Sequence, residues 1–224
     1  MVVMTRHLDN EDGARWILAV SDLHRSRKQM DWVSEQSFDL LLLGGDLLDH
    51  GEGQNEVSDW IRSIDRPLAI ASGNHDVMKE GPDWLYDFRG PGRIIDEVGC
   101  LHGFPICALP WQYDDGDWVD RSAHRCHQTA RMRKPWVLLA HHIPPDTYQG
   151  EEDRMRALYF ESQLAPVIAI TGHLHDLPSV SGGWVNPGQN TFREPNHVWF
   201  DMKRRKGILN AFHPRRRHVH AFDF

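Results

Sequence analysis

The sequence predicts an α/β fold, in which short buried strands alternate with amphipathic helices along the chain. Two patterns support this prediction: five apolar runs of four to six residues that each end in a polar cluster, and segments of helical spacing between several of them. The length of 224 residues suits one domain with a sizeable core. We therefore expect a single domain over residues 15–224, preceded by a loose polar extension at residues 1–14.

The five apolar runs are predicted to be buried strands because their lengths of four to six residues suit strands better than helices. They lie at residues 16–20, 38–43, 68–71, 136–140 and 166–170. Helices are predicted where apolar residues recur at positions i, i+3, i+4 and i+7. Three sets of residues show this spacing: Val57, Trp60, Ile61 and Ile64; Met155, Leu158, Tyr159 and Ser162; and, more weakly, Val119, Ala123, Cys126 and Ala130. A further helix is predicted over residues 26–37, with Ser26 as candidate N-cap.

Two further segments have strand character without an obvious helix between them. Residues 93–110 are expected to form a hairpin that turns near Gly99 or Gly103. Residues 177–200 contain candidate turns at 182–183 and at 186–188 between short apolar stretches. Both segments are therefore predicted to add strands to the sheet structure.

The charge of the chain is unevenly distributed. The formal net charge is −7; residues 1–200 carry 18 Lys and Arg against 30 Asp and Glu, whereas residues 201–224 carry 7 against 2. The acidic majority argues against steering to nucleic acid by net charge, although the basic end keeps a local anionic contact open. No apolar run is long enough to span a bilayer, no signal peptide is recognised, and three cysteines form no disulfide framework. We expect a cytoplasmic protein without a membrane partner.

Polar residues that carry metal or acid–base chemistry follow each of the five predicted strands. In open α/β sheets, ligands bind beyond the carboxyl ends of the strands, so these clusters are expected to converge. Carboxylate, imidazole and amide donors without cysteine suit divalent ions such as Mn, Fe or Zn. The clusters are Asp22-x-His24, Gly45-Asp46-x-x-Asp49, Gly73-Asn74-His75-Asp76, His141-His142 and Gly172-His173-x-His175.

These five blocks, in this order, resemble the motifs of the calcineurin-like metallophosphoesterase superfamily. The resemblance covers residues 22–175 and implies two mixed β-sheets sandwiched between helices, with two divalent metal ions at the strand ends. Mn²⁺ is the expected ion, with Fe or Zn as alternatives. By motif match, the first ion would be held by Asp22, His24, Asp46 and His175, and the second by Asp46, Asn74, His141 and His173.

The same resemblance implies the chemistry of phosphate-ester hydrolysis. A hydroxide bridging the two ions would attack phosphorus, while the ions offset the charge of the ester. His75 and Asn74 would contact the phosphate, His75 would protonate the leaving group, and Asp49 would orient His75. Histidine at position 50 stands where the protein serine/threonine phosphatase branch has an arginine, so the chain resembles the small phosphoesterases and phosphodiesterases more closely.

Several alternatives stay open at this stage. A phosphodiester is favoured over a phosphomonoester, and the substrate could be a nucleotide, a small ester or, for a nuclease, DNA or RNA. A metal-containing scaffold without activity and a hydrolase of non-phosphate esters are the rival classes. Trp111 and Tyr113 could stack on a base or pack as an aromatic lid.

The remaining unusual residues are given structural interpretations. The basic runs 203–206 and 215–218 are expected to be turns between edge strands, with contact to a nucleic acid backbone as the alternative. Residues 186–188 are predicted to form only a turn, and Cys100, Cys107 and Cys126 to be small core residues. His142 is interpreted as a neighbour of the site and not as a ligand.

Overall fold

The computed structural model describes residues 15–78, 81–111, 118–132, 134–141, 166–175, 178–181, 184–213 and 216–224. Within these ranges lie thirteen strands and five helices. The strands are β1 (Trp16–Val20), β2 (Leu40–Leu43), β3 (Leu68–Ile70), β4 (Arg93–Ile95), β5 (Val98–Leu101), β6 (Phe104–Leu109), β7 (Val137–Ala140), β8 (Ile168–Ile170), β9 (Ser179–Ser181), β10 (Trp184–Asn186), β11 (His197–Asp201), β12 (Lys206–His213) and β13 (Arg216–Asp223). The helices are α1 (Arg27–Glu35), α2 (Gln54–Ser63), α3 (Asn74–Val77), α4 (Asp83–Tyr86) and α5 (Trp118–Ala130).

The strands form two mixed sheets. The seven-stranded sheet has the order β13-β12-β11-β1-β2-β3-β4, and the six-stranded sheet has the order β5-β6-β7-β8-β10-β9. Strands β1 to β4 run parallel, whereas β11, β12 and β13 join them as antiparallel neighbours. Strands β6, β7, β8 and β10 are likewise parallel at the centre of the second sheet.

Alternating residues of the strands divide the core into three layers. Leu42 of the first sheet and Leu139 of the second belong to one buried cluster between the sheets. Leu41 of the same strand β2 faces the other way and packs with Met30 of α1 and Ile61 of α2. On the outer face of the second sheet, β6 and β7 pack against Cys126 of α5. Helices thus cover both outer faces, which confirms the predicted fold of two mixed sheets between helices.

The predicted strands and helices are confirmed within the described residues, with shifts at their ends. All five apolar runs are strands, namely β1, β2, β3, β7 and β8. Helices α1, α2 and α5 lie where helical spacing was found, and Ser26 occupies the N-cap position of α1 without a side-chain capping bond. Strand β2 begins at Leu40, and directly before it the Asp39 carboxylate accepts hydrogen bonds from the backbone N–H groups of residues 15 and 16. The predicted helix at 155–162 and the turn at 182–183 lie outside the described residues.

The prediction of one hairpin over residues 93–110 is wrong in its first half. Only β5 and β6 form the hairpin, which turns at Gly103, whereas β4 pairs in parallel with β3 in the other sheet. The chain changes sheets at Asp96, whose φ of 51° lies in the left-handed region. The prediction for Cys100 is also wrong, because its side chain is exposed; Cys107 and Cys126 are buried as expected.

The basic run 203–206 lies at a turn as predicted, but that turn joins two inner strands, whereas the described part of the run 215–218 lies within an edge strand. Lys203, Arg204 and Arg205 form the turn between β11 and β12, and residues 216–217 begin the edge strand β13. Long charged side chains on an edge strand disfavour pairing with other chains. Among the described helices, none combines the length and the apolar character that a membrane crossing requires.

Candidate metal centre

The loops that follow β1, β2, β3, β7 and β8 meet at one edge of the two sheets. Backbone hydrogen bonds join the first two loops, since the N–H groups of Asp22 and His24 donate to the carbonyls of Gly45 and Asp46 at 3.0 and 2.9 Å. The fifth loop is attached to the first, because the His173 backbone N–H donates to Oδ1 of Asp22 at 3.0 Å. The structure therefore brings together the side chains that the sequence placed in five separate blocks.

Four of these residues form a first cluster: Asp22, His24, Asp46 and His175, each with one donor atom within 4.8 Å of the others. Nε2 of His175 lies 3.3 Å from Oδ1 of Asp22 and 3.3 Å from Nε2 of His24. Nε2 of His24 lies 3.8 Å from Oδ2 of Asp46. Two carboxylate oxygens and two imidazole nitrogens thus point into one small volume, which is the donor set of a divalent-ion site.

A second cluster shares Asp46 with the first and adds His141 and His173. Nε2 of His141 lies 3.2 Å from Oδ2 of Asp46. Asn74 joins this cluster through its Oδ1, which is 2.9 Å from Nδ1 of His173. Because Asp46 belongs to both clusters, its carboxylate lies at the junction of two adjacent donor sets.

The buried pair of Asp46 and His141 lacks an ordinary hydrogen bond. Nδ1 of His141 lies 2.7 Å from the Gly44 carbonyl, which can only accept, so Nδ1–H donates and the neutral ring keeps a lone pair on Nε2. Nε2 of His141 and Oδ2 of Asp46 are both buried without a hydrogen-bond partner among the described residues. Two acceptor atoms therefore face each other and require a cation, either a proton or a metal ion, between them.

The pKa values of His141 and Asp46 also show that a positive charge between the two side chains is favoured. Burial opposes protonation of His141, but the carboxylates of Asp46 and Asp22 outweigh it and raise its pKa to about 9. Burial also opposes ionisation of Asp46, yet His141 lowers the pKa of its carboxyl to about 2. At the edges of the two clusters, burial lowers the pKa values of His24 and His173, which favours neutral rings with a free lone pair.

His75 lies beside the clusters with its two ring nitrogens in different roles. The backbone N–H of His50 donates to Nδ1 of His75 at 2.9 Å, so the hydrogen of the neutral ring is on Nε2. That Nε2 lies 3.9 Å from Oδ2 of Asp46. Oδ1 of Asp49 is 3.8 Å from Nδ1 of His75 and equally far from Nδ1 of His24, too long for a hydrogen bond. The backbone of His50, which sequence reasoning did not consider, fixes the His75 tautomer.

The loops of the site hold strained backbone conformations. Asp22, His24, Asp46 and His173 all have φ between 41° and 69°, a region that non-glycine residues rarely adopt. Such strain costs about 1–3 kcal/mol per residue and clusters at functional sites. A close approach is also enforced at Gly172, where an added Cβ would lie 2.7 Å from Nδ1 of His141 and 2.9 Å from Oδ2 of Asp22.

Buried polar side chains that sequence reasoning did not assign to the site hold these loops in place. Both oxygens of Asp76 accept backbone N–H groups, from Leu47 and Leu48 at 2.9 Å and from Gly73 at 2.8 Å. Asp96 accepts the Ser72 N–H at 2.7 Å and so supports the same loop from its other side. The block around Asp76 drew attention to its position, whereas no sequence signal marked Asp96.

The turn at residues 186–188 is confirmed, but it also supports the last site loop. The fully buried Asn186 donates from Nδ2 to the Leu174 carbonyl at 3.2 Å and accepts the Gly188 N–H at 2.9 Å. The Gln189 N–H donates to the His175 carbonyl at 2.9 Å. Position 186 therefore contributes to the site by fixing the segment that carries His173 and His175.

Trp111 packs at the second cluster. Its ring centroid lies 5.1 Å from that of His173 and 5.5 Å from that of His141, and its backbone N–H donates to Ser72 Oγ at 3.0 Å. His50 is largely exposed and its ring lies 4.3 Å from the His75 ring. His142 and Tyr113 lie outside the described residues.

The fold and this donor set are typical of metal-dependent phosphoesterases, and comparison with known families shows the same class. The chain belongs to the calcineurin-like phosphoesterases, whose family model matches residues 15–177. This family typically binds two divalent metal ions and hydrolyses phosphoesters. Among curated proteins, none matches the chain significantly.

Two solved structures show the same architecture. The protein TT1561 of Thermus thermophilus is 15% identical, with a TM-score of 0.58 and coverage of 94% of this chain and 99% of that one. A dimetal phosphatase from Danio rerio is 9% identical, with a TM-score of 0.62 and coverage of 95% and 99%. At such low identities the similarity shows the fold alone.

Proposed function

We propose that this chain hydrolyses phosphate esters, with phosphodiesters favoured, by means of two divalent metal ions at the two adjoining clusters. Asp22, His24, Asp46 and His175 would hold the first ion, and Asp46, Asn74, His141 and His173 would hold the second. The observation that carries the proposal is the buried Asp46 carboxylate shared by both clusters, 3.2 Å from an imidazole nitrogen that has no hydrogen-bond partner among the described residues.

The residues present fit the ions in number, chemistry and charge. The donors are carboxylate and amide oxygens and imidazole nitrogens, a set that suits Mn²⁺ and also Fe or Zn. The hydrogen bond from Nδ1 of His141 to Gly44 orients its ring so that Nε2 is free to coordinate. When bound, two such ions would offset the charge of the ester and lower the pKa of a bound water so that hydroxide exists near neutral pH.

His75 would act on the substrate and not as a metal ligand. Its Nδ1 is occupied by the His50 N–H, which leaves the Nε2–H to donate toward the phosphate or the departing oxygen. Asn74, at the start of α3, would contact the phosphate from the second cluster. The Asp49 carboxylate lies 3.8 Å from Nδ1 of His75, too far for a hydrogen bond, so its part in orienting that ring would be indirect.

The preference for diesters is supported by the composition of the site. A phosphodiester carries one negative charge, whereas a monoester carries up to two and requires more cationic partners. The residue beside His75 is the exposed imidazole of His50 and not a guanidinium. We therefore expect faster hydrolysis of bis-p-nitrophenyl phosphate than of p-nitrophenyl phosphate.

Removal and return of metal tests the proposal. Chelator-treated protein should hydrolyse neither ester, and Mn²⁺ should restore activity, with Fe²⁺ and Zn²⁺ as comparisons. Mass-spectrometric metal analysis should find two ions per chain. Protein with two ions bound but no activity on monoesters or diesters would contradict the proposal and favour a non-catalytic scaffold.

Substitution of His75 separates catalysis from metal binding. His75→Ala should retain two ions and lower kcat by about 10²–10⁴-fold, the usual contribution of a general acid. His127→Ala, which removes an exposed imidazole from the last turn of α5, is the matched control and should retain full activity. Loss of metal in the His75 variant would show that His75 is a ligand.

A nuclease is the specific form of this activity that the basic turn between β11 and β12 would support. Truncation before this turn is not a clean test, since β12 contributes the buried Leu209 and Ala211. Replacement of Lys203, Arg204 and Arg205 by glutamine changes only exposed side chains, leaves β12 in the chain and removes the charge. If DNA or RNA is a substrate, the triple variant should cleave it more slowly and with less salt dependence, while hydrolysis of the small diester stays unchanged.

A further inference from the structure

A groove of about 880 Å³ opens directly beside the candidate metal centre, and His175 lines both. It lies between β9 of the second sheet and the strands β12 and β13 of the first, of which β13 is the edge strand. Its floor includes Leu209 and Ala211, both buried, and their cross-strand neighbours His220 and His218 stand on the same face. A molecule held at the metal centre can therefore reach this groove at His175.

The wall opposite β13 is a loop, residues 189–192, that is fixed in place before any ligand binds. Gln29 of α1, which is 2% exposed, donates from Nε2 to the carbonyls of Asn190 and Phe192 at 2.8 and 3.0 Å. The Asn190 side chain also bonds Asn196 at 2.7 Å. The groove is thus preformed, which lowers the entropic cost of binding.

The exposed groups of the groove combine aromatic faces with unused polar atoms. Phe192 is 42% exposed at one side of the groove. Phe212 is half-buried and also lines the groove, with its ring 6.5 Å from that of Phe192 and the Arg217 guanidinium 5.1 Å from its centroid. The Gln189 side-chain amide, which can both donate and accept, forms no hydrogen bond to another described residue. Among the described residues that line the groove, none is acidic, whereas His218 and His220 lie at its rim.

We propose that this groove binds the nucleoside portion of a phosphate ester whose phosphate lies at the metal centre, so that the substrate is a nucleotide derivative. The inference rests on the proposed phosphoesterase function and adds the substrate class to it. A planar base stacks on an exposed phenylalanine ring such as that of Phe192, and an amide with both a donor and an acceptor pairs with the edge of a base. The absence of carboxylates from the described lining suits an anionic ligand.

An alkyl chain would match the lining less well. It would bury the Gln189 amide and the two rim imidazoles without giving them partners, which is unfavourable. A base satisfies these groups and uses the aromatic faces as well. The groove therefore favours a heteroaromatic ligand over an aliphatic one.

Two esters with one leaving group test the inference. Thymidine 5′-(p-nitrophenyl phosphate) and methyl p-nitrophenyl phosphate both release p-nitrophenolate, so their kcat/KM ratio reports recognition of the nucleoside. With Mn²⁺-loaded protein we expect a ratio of at least about tenfold in favour of the thymidine ester, as base stacking on one aromatic ring implies. Phe192→Ala and Gln189→Ala should lower this ratio severalfold and leave hydrolysis of the methyl ester unchanged.

Met132→Ala is the matched control, because Met132 is also 42% exposed but lies after α5, outside the groove lining. It should keep the wild-type ratio. Equal rates on the two esters, or a ratio unaffected by both groove substitutions, would overturn the groove assignment and leave the phosphoesterase function standing. Cleavage of neither ester would overturn the proposed function itself.

If neither ester is cleaved, a binding measurement tests the groove without catalysis. Saturation-transfer NMR with thymidine, which has no phosphate, should show contact with the wild-type chain and loss of contact in Phe192→Ala. Such a result would support the nucleoside site without catalysis. Contact that persists in the variant, or none in the wild type, would refute it.

Discussion

Replacement of His197 by phenylalanine should make the stability of this protein less sensitive to acid. His197 on β11 is 2% exposed, and its Nδ1–H donates to the Pro195 carbonyl at 2.9 Å. Burial, assisted by the charge of Arg217, lowers the pKa of His197 to about 4. Two charged groups face His197. Oε1 of Glu194 lies 3.9 Å from Nε2 of His197, and Arg217 pairs with Glu194 at 3.6 Å. The Trp32 ring packs on the His197 ring, with the ring centroids 4.7 Å apart.

The sign and size of the effect follow from this pKa. Because the folded value, about 4, lies below the ordinary 6.5, the unfolded chain binds the proton more readily, and stability falls as the pH falls. The loss begins near pH 6.5 and is complete below pH 4, where it reaches about 3 kcal/mol. At pH 5 about 2 kcal/mol is already lost. Burial raises the pKa of Asp96 to about 6, an effect of opposite sign, so only a comparison of variants isolates His197.

Urea unfolding of the metal-free protein at pH 8 and pH 5 measures this contribution. The wild type should lose about 2 kcal/mol more between these pH values than His197→Phe does. His127→Phe, which exchanges an exposed imidazole in the same way, serves as control and should follow the wild type. Equal losses in the wild type and in His197→Phe would refute the assignment of His197 as a neutral buried ring.

Three further substitutions test the loops and the core. Gly172→Ala places a Cβ 2.7 Å from Nδ1 of His141 and should lower the metal content of purified protein, whereas Gly90→Ala, which meets open space, should not. Asp76→Asn leaves an amide facing the Gly73 N–H and should lower the free energy of unfolding by about 1–3 kcal/mol. Phe200→Ala, at a fully buried side chain between the sheets, should cost about 3–5 kcal/mol in the same assay, with exposed Met132→Ala as the control for both unfolding measurements.

The elements that could be predicted from sequence are those fixed by local patterns. A short continuous apolar run such as residues 68–71 predicts a strand whose two faces are both buried. The spacing of Val57 and Trp60 places apolar side chains on one side only, which predicts an amphipathic helix. The strand at 93–95 could not be assigned to a sheet, because its partner β3 lies 25 residues earlier and both sheets offer an edge. Pairing between strands that are distant in the chain depends on how the whole domain packs, so the local sequence contains no signal for it.

The candidate site divides in the same way. The candidate donor side chains were identified by the resemblance of five sequence blocks to the motifs of one family, and the structure places these side chains close together. The groups that position these side chains could not be predicted from sequence, because they act through backbone atoms. The His50 N–H fixes the tautomer of His75, and Asp96 accepts the N–H of Ser72. Any residue type except proline supplies a backbone N–H, so the sequence carries no signal for the first of these contacts.

The arrangement of the supporting bonds explains how strained loops can form a site before metal binds. Asp22, Asp46 and His173 adopt left-handed conformations that disfavour the folded loops. Asp76 and Asn186 oppose this strain with hydrogen bonds to backbone groups, which need no metal ion. Because these bonds keep the donor side chains close together, the binding of an ion would not have to supply the energy that orders the loops. The facing acceptors of Asp46 and His141 are therefore the part of the site where a cation is needed most.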